Sequence, residues 1–239
     1  MRIQRALARA GIASRRGAET LVAAGRVQVN GKVATTGQSV NPARDVITVD
    51  GAAIGAPARK VDWLVLNKPP GVLTTKTDPD GRRTVFDLVK PSPGLTYVGR
   101  LDYMTEGVLL FTTDGDAAHL LTHPSTEVER TYEATVRGPV ALAVREARRG
   151  VTLDDGLVEP SHVEARPLGK GRWEFEVGLR EGRTREVRRL CEALSLEVDR
   201  LVRIRFGPVT LGTLATGETR SLTGAERRTI ATLTAPGPK

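Results

Sequence analysis

The sequence has little cysteine and no long apolar run. Its 239 residues include a single cysteine, Cys191, so neither an internal disulfide nor a cluster of thiolate metal ligands can form. No apolar run approaches the ~20 residues that span a bilayer. The opening segment MRIQRALARAG is too polar to act as a secretory signal. These absences predict a cytoplasmic protein that does not contact a membrane.

Motifs of several enzyme classes are also missing. Neither the phosphate-binding pattern GxxxxGK[ST] nor the dinucleotide-binding pattern GxGxxG occurs, so nucleotide cofactors are not supported. The nucleophile elbow of serine hydrolases is absent as well. His119 and His123 are four residues apart, as in zinc proteases, but Leu120 occupies the position of the catalytic glutamate. We therefore predict no cofactor and no metal.

Acidic residues are scarce in the first part of the chain, where basic residues are frequent. Glu19 is the one acidic residue within positions 1–44, and the basic residues there are Arg2, Arg5, Arg9, Arg15, Arg16, Arg26, Lys32 and Arg44. The whole chain has a net charge of +8 and a pI of about 10.1, which favours a polyanionic partner. We expect this segment to contact phosphates and to bind with salt-dependent affinity.

The same basic segment has the pattern of a small domain. The periodicity predicts a helix from Arg2 to Ala10 and a second one, capped by Ser14, from Arg15 to Ala24. Asn30-Gly31 between valine-rich runs predicts a hairpin. This order resembles the alpha-L RNA-binding motif, which implies RNA contacts by Arg5, Arg15, Arg16, Arg26 and Lys32. We predict a domain over 1–54, a linker over 55–60 and a second domain over 61–239.

Strands and helices alternate through the second domain. Periodicity predicts strands at 63–66, 130–137, 163–168, 172–179, 198–206 and 209–214, and helices at 84–89, 116–123, 140–149, 184–194 and 224–233. The short links between consecutive strands favour a mainly antiparallel mixed sheet flanked by helices, which is an α+β fold.

The most informative segment of the chain surrounds Asp102. It lies between two short apolar runs, YVGRL and GVLLFTT, which read as buried strands. An aspartate in such a connection commonly satisfies backbone donors of a turn, but it is also held rigidly at a sheet end, where reactive groups are well placed. The whole segment resembles the GRLD…T.GLLL.T.DG signature of pseudouridine synthases of the RsuA/RluB type. The resemblance implies that Asp102 is the catalytic residue.

Further segments resemble the same family. EGRTREVRRL resembles the EGRNRQVRRM segment of the family, which implies that Arg188 pairs with Asp102 and that Arg183 and Arg185 contact RNA. The alternative is a solvated arginine-rich helix face. VERTYEA resembles VEKTYLV, which implies that Tyr132 stacks on the target base rather than serving only as a core residue. By the same resemblance Arg100 holds the extruded nucleotide, unless it forms an ion pair with an acid such as Glu106.

The resemblance implies a specific reaction. The expected activity is isomerisation of uridine to pseudouridine in a ribosomal RNA stem-loop whose target base is flipped out, by a monomeric enzyme. HPSTEVERTY looks closer to the large-subunit RluB-like branch, although a small-subunit enzyme and a non-catalytic ribosome-assembly factor remain as alternatives. Attack at the base, attack at the sugar and removal of a sugar proton are all compatible with the sequence.

Overall fold

The computed structural model describes residues 1–55 and 61–235, which form two compact units. The first unit combines Met1–Trp63 with Pro91–Thr96 and Phe111–Gly115. The second consists of the other segments, Leu64–Lys90, Tyr97–Leu110 and Asp116–Lys239. Apart from Gly55, the linker predicted at 55–60 lies outside the described residues. The boundaries at 1–54 and 61–239 stay a prediction.

The first unit begins with two short helices and a four-stranded sheet of order β2-β1-β3-β4. Their bounds are α1 Ile3–Arg9, α2 Arg15–Ala23, β1 Val27–Val29, β2 Lys32–Val33, β3 Ile47–Val49 and β4 Ala52–Ala53. The Ser14 hydroxyl accepts a hydrogen bond from the Gly17 amide at 3.0 Å, so it caps α2 as predicted. Asn30 and Gly31 have φ values of 52° and 79°, as a tight hairpin turn requires. Both predicted helices and the hairpin are therefore confirmed.

The rest of the described chain contributes one large sheet, a small hairpin and the remaining helices. The strands are β5 Trp63–Lys68, β6 Thr96–Val98, β7 Thr105–Thr112, β8 Arg130–Arg137, β9 Val151–Leu153, β10 Gly156–Val158, β11 His162–Gly169, β12 Arg172–Leu179, β13 Glu197–Phe206, β14 Val209–Thr210 and β15 Thr219–Ser221. The α-helices are α3 Gly115–Thr122, α4 Val140–Ala147, α5 Glu186–Ala193 and α6 Gly224–Leu233, with 3₁₀ turns at Val85–Leu88 and Pro124–Thr126.

The large sheet is mixed but mainly antiparallel, as the alternation of elements predicted. Its order is β11-β12-β8-β13-β7-β5-β15, with β14 beside β13 and β6 beside β7. The pairs from β11 to β13 are antiparallel, and β13 runs parallel to β7. Apolar side chains of β8, β12 and β13 pack with α4 and α5 into a core that includes Phe175, Leu190 and Cys191. Burial raises the pKa of the Cys191 thiol to about 12, so this cysteine is a packing residue.

The helix predicted at 84–89 is a 3₁₀ turn over Val85–Leu88, and the strand predicted within YVGRL ends at Val98. Two further elements depart from the sequence-based bounds. Helix α5 begins at Glu186 rather than Thr184, because Arg185 takes a left-handed conformation with φ 51°. The strand predicted at 209–214 ends at Thr210, ahead of a left-handed Gly212 with φ 58°. Both departures occur where backbone conformation interrupts a favourable side-chain pattern, and periodicity does not report backbone conformation.

The parallel pair of β7 and β13 depends on a glycine. Gly107 has φ 101°, and a Cβ atom built there overlaps the carbonyl oxygen of Arg203 and lies 2.8 Å from its amide nitrogen. Only a residue without a side chain permits this approach of the two backbones. The contact fixes the start of β7, and with it the turn that carries Asp102, against β13.

Replacing Gly107 tests this constraint. We expect Gly107→Ala to lower the free energy of unfolding by about 3 kcal/mol or more, because a backbone clash adds to an unfavourable φ. For a chain of this size that corresponds to a fall of roughly 6–12 °C in the midpoint of thermal unfolding. Gly115→Ala is the matched control, since an added Cβ meets nothing within 4 Å there. Equal midpoints for the two variants would contradict the proposed constraint.

Candidate active site

A cavity of about 460 Å³ opens in the second unit. Its walls come from the turn before β7, from β8 and β13, and from the segment that leads into α5. Six residues predicted from the sequence line it: Arg100, Asp102, Tyr132, Arg183, Arg185 and Arg188. Segments far apart in the sequence therefore meet at one concave site.

A buried lysine donates hydrogen bonds to the backbone of the turn that carries Asp102. The Lys68 ammonium, with 0% of the residue exposed, lies 2.9–3.1 Å from the carbonyl oxygens of Pro69, Asp102, Tyr103 and Thr105. An ammonium has three protons, so these four acceptors share them. Because its backbone carbonyl is held by the ammonium, Asp102 has a fixed backbone while its half-buried side chain lines the cavity.

One face of the sheet forms another wall of the cavity. Tyr132 on β8 is directly opposite Arg203 on β13, and Arg130 is opposite Phe206. Directly opposed residues of an antiparallel pair share a face. A bulge in β13 after Arg203 brings Phe206 to the same face as Leu201. All five side chains line the cavity.

Two arginines on this face are buried. Arg130 is 5% exposed and Arg203 is 2% exposed, and their guanidinium carbons lie 5.2 Å and 5.1 Å from the centre of the Phe206 ring. Arg130 also donates to the carbonyl oxygens of Arg180 and Leu121. Burial lowers the pKa of Arg130, and contact with an aromatic face offsets part of the cost of desolvating a cation. This wall is therefore strongly electropositive.

Neither Arg130 nor Arg203 is identified as a site residue by the sequence alone. Charged side chains are seldom buried, so an arginine on a strand is expected to face solvent. The available signal is the alternation in RLVRIRF, which puts Leu201 and Arg203 on the same face. Because Leu201 is buried, that alternation indicates that Arg203 faces inward.

Arg188 differs from its predicted arrangement. It lies on α5 and lines the cavity with Asp102, but no ion pair joins the two side chains within the described residues. Instead, Nη2 of Arg188 lies 3.5 Å from the carbonyl oxygen of Met104. The predicted direct pairing is therefore not formed in this structure, because the guanidinium approaches the backbone two residues beyond the aspartate. A role for Arg188 in catalysis stays a prediction.

Arg183 is occupied by neighbouring groups. It forms ion pairs with Glu181 at 2.7 Å and Asp155 at 3.4 Å, and it donates to the carbonyl oxygens of Gly156 and Leu157. These contacts tie the segment before α5 to the β9–β10 hairpin, and Arg189 adds a 2.7 Å ion pair with the same Asp155. The RNA contact predicted for Arg183 stays a prediction. In this structure, Arg183 stabilises the segment before α5.

Arg100 and Arg185 present exposed side chains at the cavity. The alternative partner of Arg100, Glu106, instead forms a two-pronged pair with Arg200 at 2.7 Å and 2.8 Å. The left-handed backbone of Arg185 places it just ahead of the first turn of α5. Both arginines therefore remain candidates for contact with a bound polyanion.

The basic residues predicted to bind RNA through the first unit have different surroundings. Arg15, Arg16 and Lys32 are exposed, and Arg5 is half-buried in α1. Arg26 is exposed but donates to both carboxylate oxygens of Asp50, at 2.9 Å and 2.5 Å. Phosphate binding by Arg26 therefore has to compete with a carboxylate.

Three further features bear on the class of site. Within 1–55 and 61–235, no group of three or more histidine, cysteine, aspartate or glutamate side chains is arranged to hold a metal ion. None of the helices in the described ranges is long and apolar enough to cross a membrane. His119 and His123 pack edge to face with ring centres 5.6 Å apart.

Comparison with known proteins reveals relatives over most of the chain. The sequence matches the RNA pseudouridylate synthase family over residues 62–193 and the S4 domain over residues 1–47. It is 45% identical to ribosomal large subunit pseudouridine synthase B of Haemophilus influenzae, over 88% of this chain and 61% of that protein. It is 41% identical to an uncharacterized RNA pseudouridine synthase of Aquifex aeolicus, over 95% and 92%. A crystal structure of a pseudouridylate synthase aligns with a TM-score of 0.65 and 25% identity, covering 96% of this chain and 99% of that one.

These matches agree with the fold. The family match extends over more than half of the chain, and the S4 match coincides with the small basic module that the sequence predicted. The chain spans about three fifths of the length of the Haemophilus relative, at 61%, and nearly the whole Aquifex relative, at 92%. The chain belongs to the RNA pseudouridylate synthase family.

Proposed function

We propose that this protein converts a specific uridine of large-subunit ribosomal RNA to pseudouridine. The observation that carries the proposal is the carboxylate of Asp102, on a rigid turn at a cavity lined by arginines. The cavity volume of about 460 Å³ falls within the range of ~300–1,000 Å³ that is usual for small-molecule sites. The name of the Haemophilus relative supports the choice of the large subunit.

The reaction is an isomerisation, and one acid–base or nucleophilic group is enough for it. The bond between N1 of uracil and C1′ of ribose breaks, and a bond between C5 and C1′ forms. C5 releases its proton, and N1 gains one, so no atom is added and no electron is lost. We assign the carboxylate role to Asp102. Attack at the base, attack at the sugar and removal of a sugar proton all use the same side chain, and all three remain candidates.

The concave site requires the target base to leave its stack. A base inside a stem cannot reach the bottom of such a cavity, so we propose that a uridine in a stem-loop is flipped out. Tyr132 is half-buried on the cavity wall and provides a stacking surface, which contributes ~1–3 kcal/mol per base. The exposed Arg100 and Arg185 supply positive charge for the flanking phosphates.

The basic residues of the S4 domain provide further RNA contacts in this proposal. Arg15 and Arg16 lie in the first turn of α2, and Lys32 lies on the neighbouring sheet; all three are exposed. We also propose that the enzyme works as a monomer without metal, because the second unit supplies every group assigned to the reaction. Its ribosomal RNA substrate makes the cytoplasm the proposed compartment.

The role of Asp102 can be tested with RNA tritiated at C5 of uracil. We expect the wild-type protein to release tritium from large-subunit ribosomal RNA, and Asp102→Asn to reduce the rate by about 10³-fold or more, because the reacting group is lost. Binding of the same RNA should change less than about threefold, since the substitution keeps the shape of the side chain. Asp154→Asn, at an exposed turn outside the cavity, is the matched control.

Three other results of the tritium-release assay would contradict parts of the proposal. Comparable release by Asp102→Asn would exclude Asp102 as the reacting group. Release from small-subunit RNA alone would exclude the proposed substrate. RNA binding without release from either RNA by the wild-type protein would favour a non-catalytic assembly factor.

The phosphate contacts of the S4 domain predict a change in salt dependence. We expect Arg15→Ala with Arg16→Ala to make the plot of log affinity against log salt concentration shallower, by about one unit of slope per lost phosphate contact. Arg26→Ala should change the slope less, because Asp50 already neutralises that arginine. Filter binding over a salt series measures both, and equal slopes for all proteins would contradict these contacts.

Lys68 should act on catalysis through the turn that it holds. Lys68→Met leaves buried carbonyl oxygens without their donor, so we expect a loss of about 1–3 kcal/mol in stability. A lower kcat is expected with little change in KM, because the turn positions Asp102 and the variant leaves the exposed arginines intact. Lys90→Met, which alters an exposed lysine, is the control. Unchanged kcat in Lys68→Met would argue against a positioning role.

The difference in folding stability between the wild type and Lys68→Met should also depend on pH. Burial lowers the pKa of Lys68 from 10.5 to about 8, against the opposing charges of Asp102 and Glu106. At pH values between about 8 and 10.5, Lys68 is protonated in the unfolded chain and deprotonated in the folded chain. The free energy of unfolding therefore rises with pH in this range. We expect the free energy of unfolding of the wild type, relative to Lys68→Met, to increase from pH 8 to pH 10 in urea titrations. A flat difference would show that Lys68 stays charged in the fold.

A further inference from the structure

The buried Arg203 has a hydrogen-bond donor that the protein does not use. Its Nε donates to the carbonyl oxygen of Val108 at 2.8 Å. Its Nη2 is buried and has no hydrogen-bond partner within the described part of the chain. A buried cationic donor without an acceptor is costly to keep. Such a group at a cavity indicates an acceptor that arrives with the ligand.

The position of this donor is well defined by the sheet. Arg203 is directly opposite Tyr132 and shares its face with Leu201, and all three line the cavity. The close approach of its backbone to Gly107 fixes Arg203 against the strand that begins after Asp102. Arg203 is 2% exposed, whereas the side chain of Asp102 is half-buried. Arg203 is therefore the deeper of the two groups.

The shape of uracil determines which of its atoms reaches that depth. A flipped base remains attached to ribose through N1, so N1 faces the mouth of the cavity. The ring atom opposite N1 is C4, and its oxygen O4 points directly away from the glycosidic bond. O4 is a hydrogen-bond acceptor, whereas cytosine carries an amino group, a donor, at the same position.

We propose that Nη2 of Arg203 donates a hydrogen bond to O4 of the flipped uridine and thereby selects uracil over cytosine. The inference rests on the proposed function and deepens it, because it assigns base selection to a residue other than Asp102. Against cytosine, two donors face each other, and Nη2 of Arg203 stays without an acceptor. Sites that hydrogen-bond a substrate reject analogues that lack the matching group far better than apolar sites do.

The same donor also fits the product. In pseudouridine the sugar is attached to C5, and the ring atom opposite C5 is C2. Its oxygen O2 then points away from the sugar, as O4 does in uridine. A half-turn of the ring about the line through N3 and C6 exchanges the two carbonyl groups. Arg203 therefore keeps an acceptor of the same kind in substrate and product.

Because Nη2 of Arg203 is buried, the base can contact it only after side chains of the cavity wall move. The half-buried Tyr132 is the neighbouring side chain on that face of the sheet.

A double-mutant cycle between protein and RNA tests this pairing. The probe is an RNA stem-loop spanning the uridine at which the wild-type protein forms pseudouridine. It carries either uridine or 4-deoxyuridine, in which C4 carries hydrogen in place of O4 and N3 has no proton. Affinities are measured for proteins that also carry Asp102→Asn, so that no turnover occurs. The variant is Arg203→Met, and Arg205→Met is the matched control, because Arg205 is an exposed arginine of the same strand outside the cavity.

We expect loss of O4 to weaken binding about tenfold or more when Arg203 is present, as for a hydrogen bond to a charged donor. The same change should cost less than about threefold in Arg203→Met, while Arg205→Met should behave like the parent. Equal losses with and without Arg203 would overturn the proposal. A uniform weakening of both RNAs by Arg203→Met, with an unchanged ratio, would also overturn it and assign Arg203 to phosphate binding or to structure.

Thermal unfolding and tritium release are measured alongside the affinities. Thermal unfolding reports whether Arg203→Met folds; if it does not, Arg203→Leu, which also has no donor, replaces it, and discrimination equal to the parent would then overturn the proposal. Tritium release from uridine RNA by the wild-type protein is recorded in parallel. Absence of release rejects the proposed function, whereas release combined with equal losses for O4 rejects the role of Arg203 alone.

Discussion

The contact between the backbones of β7 and β13 at Gly107 is the constraint on which the site depends. One strand begins directly after the turn that carries Asp102, and the other carries Arg203. Because no side chain separates them at Gly107, the Asp102 carboxylate and the buried Arg203 guanidinium are placed by the same piece of sheet. The ammonium of Lys68 then holds the turn through its carbonyl oxygens. The geometry of the cavity is thus set by backbone contacts, and the side chains that line it are attached to a fixed frame.

The electrostatics of the cavity are one-sided. Arg130 and Arg203 are buried on one wall. The structure compensates them with the ring of Phe206, backbone carbonyls and, for Arg130, the charge of the buried Glu186. An aromatic ring and carbonyl dipoles stabilise a cation without cancelling its charge. The wall therefore keeps an excess of positive charge, because two guanidinium groups face one buried carboxylate, Glu186. This arrangement suits a ligand that brings its own negative charge and carbonyl oxygens.

The sequence alone predicted features that depend on neighbouring residues better than contacts between residues of separate elements. Ser14 as a cap, Asn30-Gly31 as a turn and the strand Arg130–Arg137 were all predicted and are present, because each depends on neighbouring residues. Asp102, Tyr132 and Arg188, predicted as site residues from separate segments, all line the cavity. The direct pairing of Arg188 with Asp102 was wrong for this structure, since it depends on a few ångströms between separate elements. Arg203 was missed, because inward-facing charge contradicts the usual pattern of burial.

The burial of Cys191 has a practical consequence for studying motion. Its thiol is enclosed in the core and has a pKa of about 12, so thiol-reactive dyes have little thiolate to attack at neutral pH. A reporter cysteine introduced at the surface of either unit would consequently be labelled selectively, with the native residue left in place. Fluorescence from such a reporter could follow how the protein responds to RNA without first removing a side chain that the core needs.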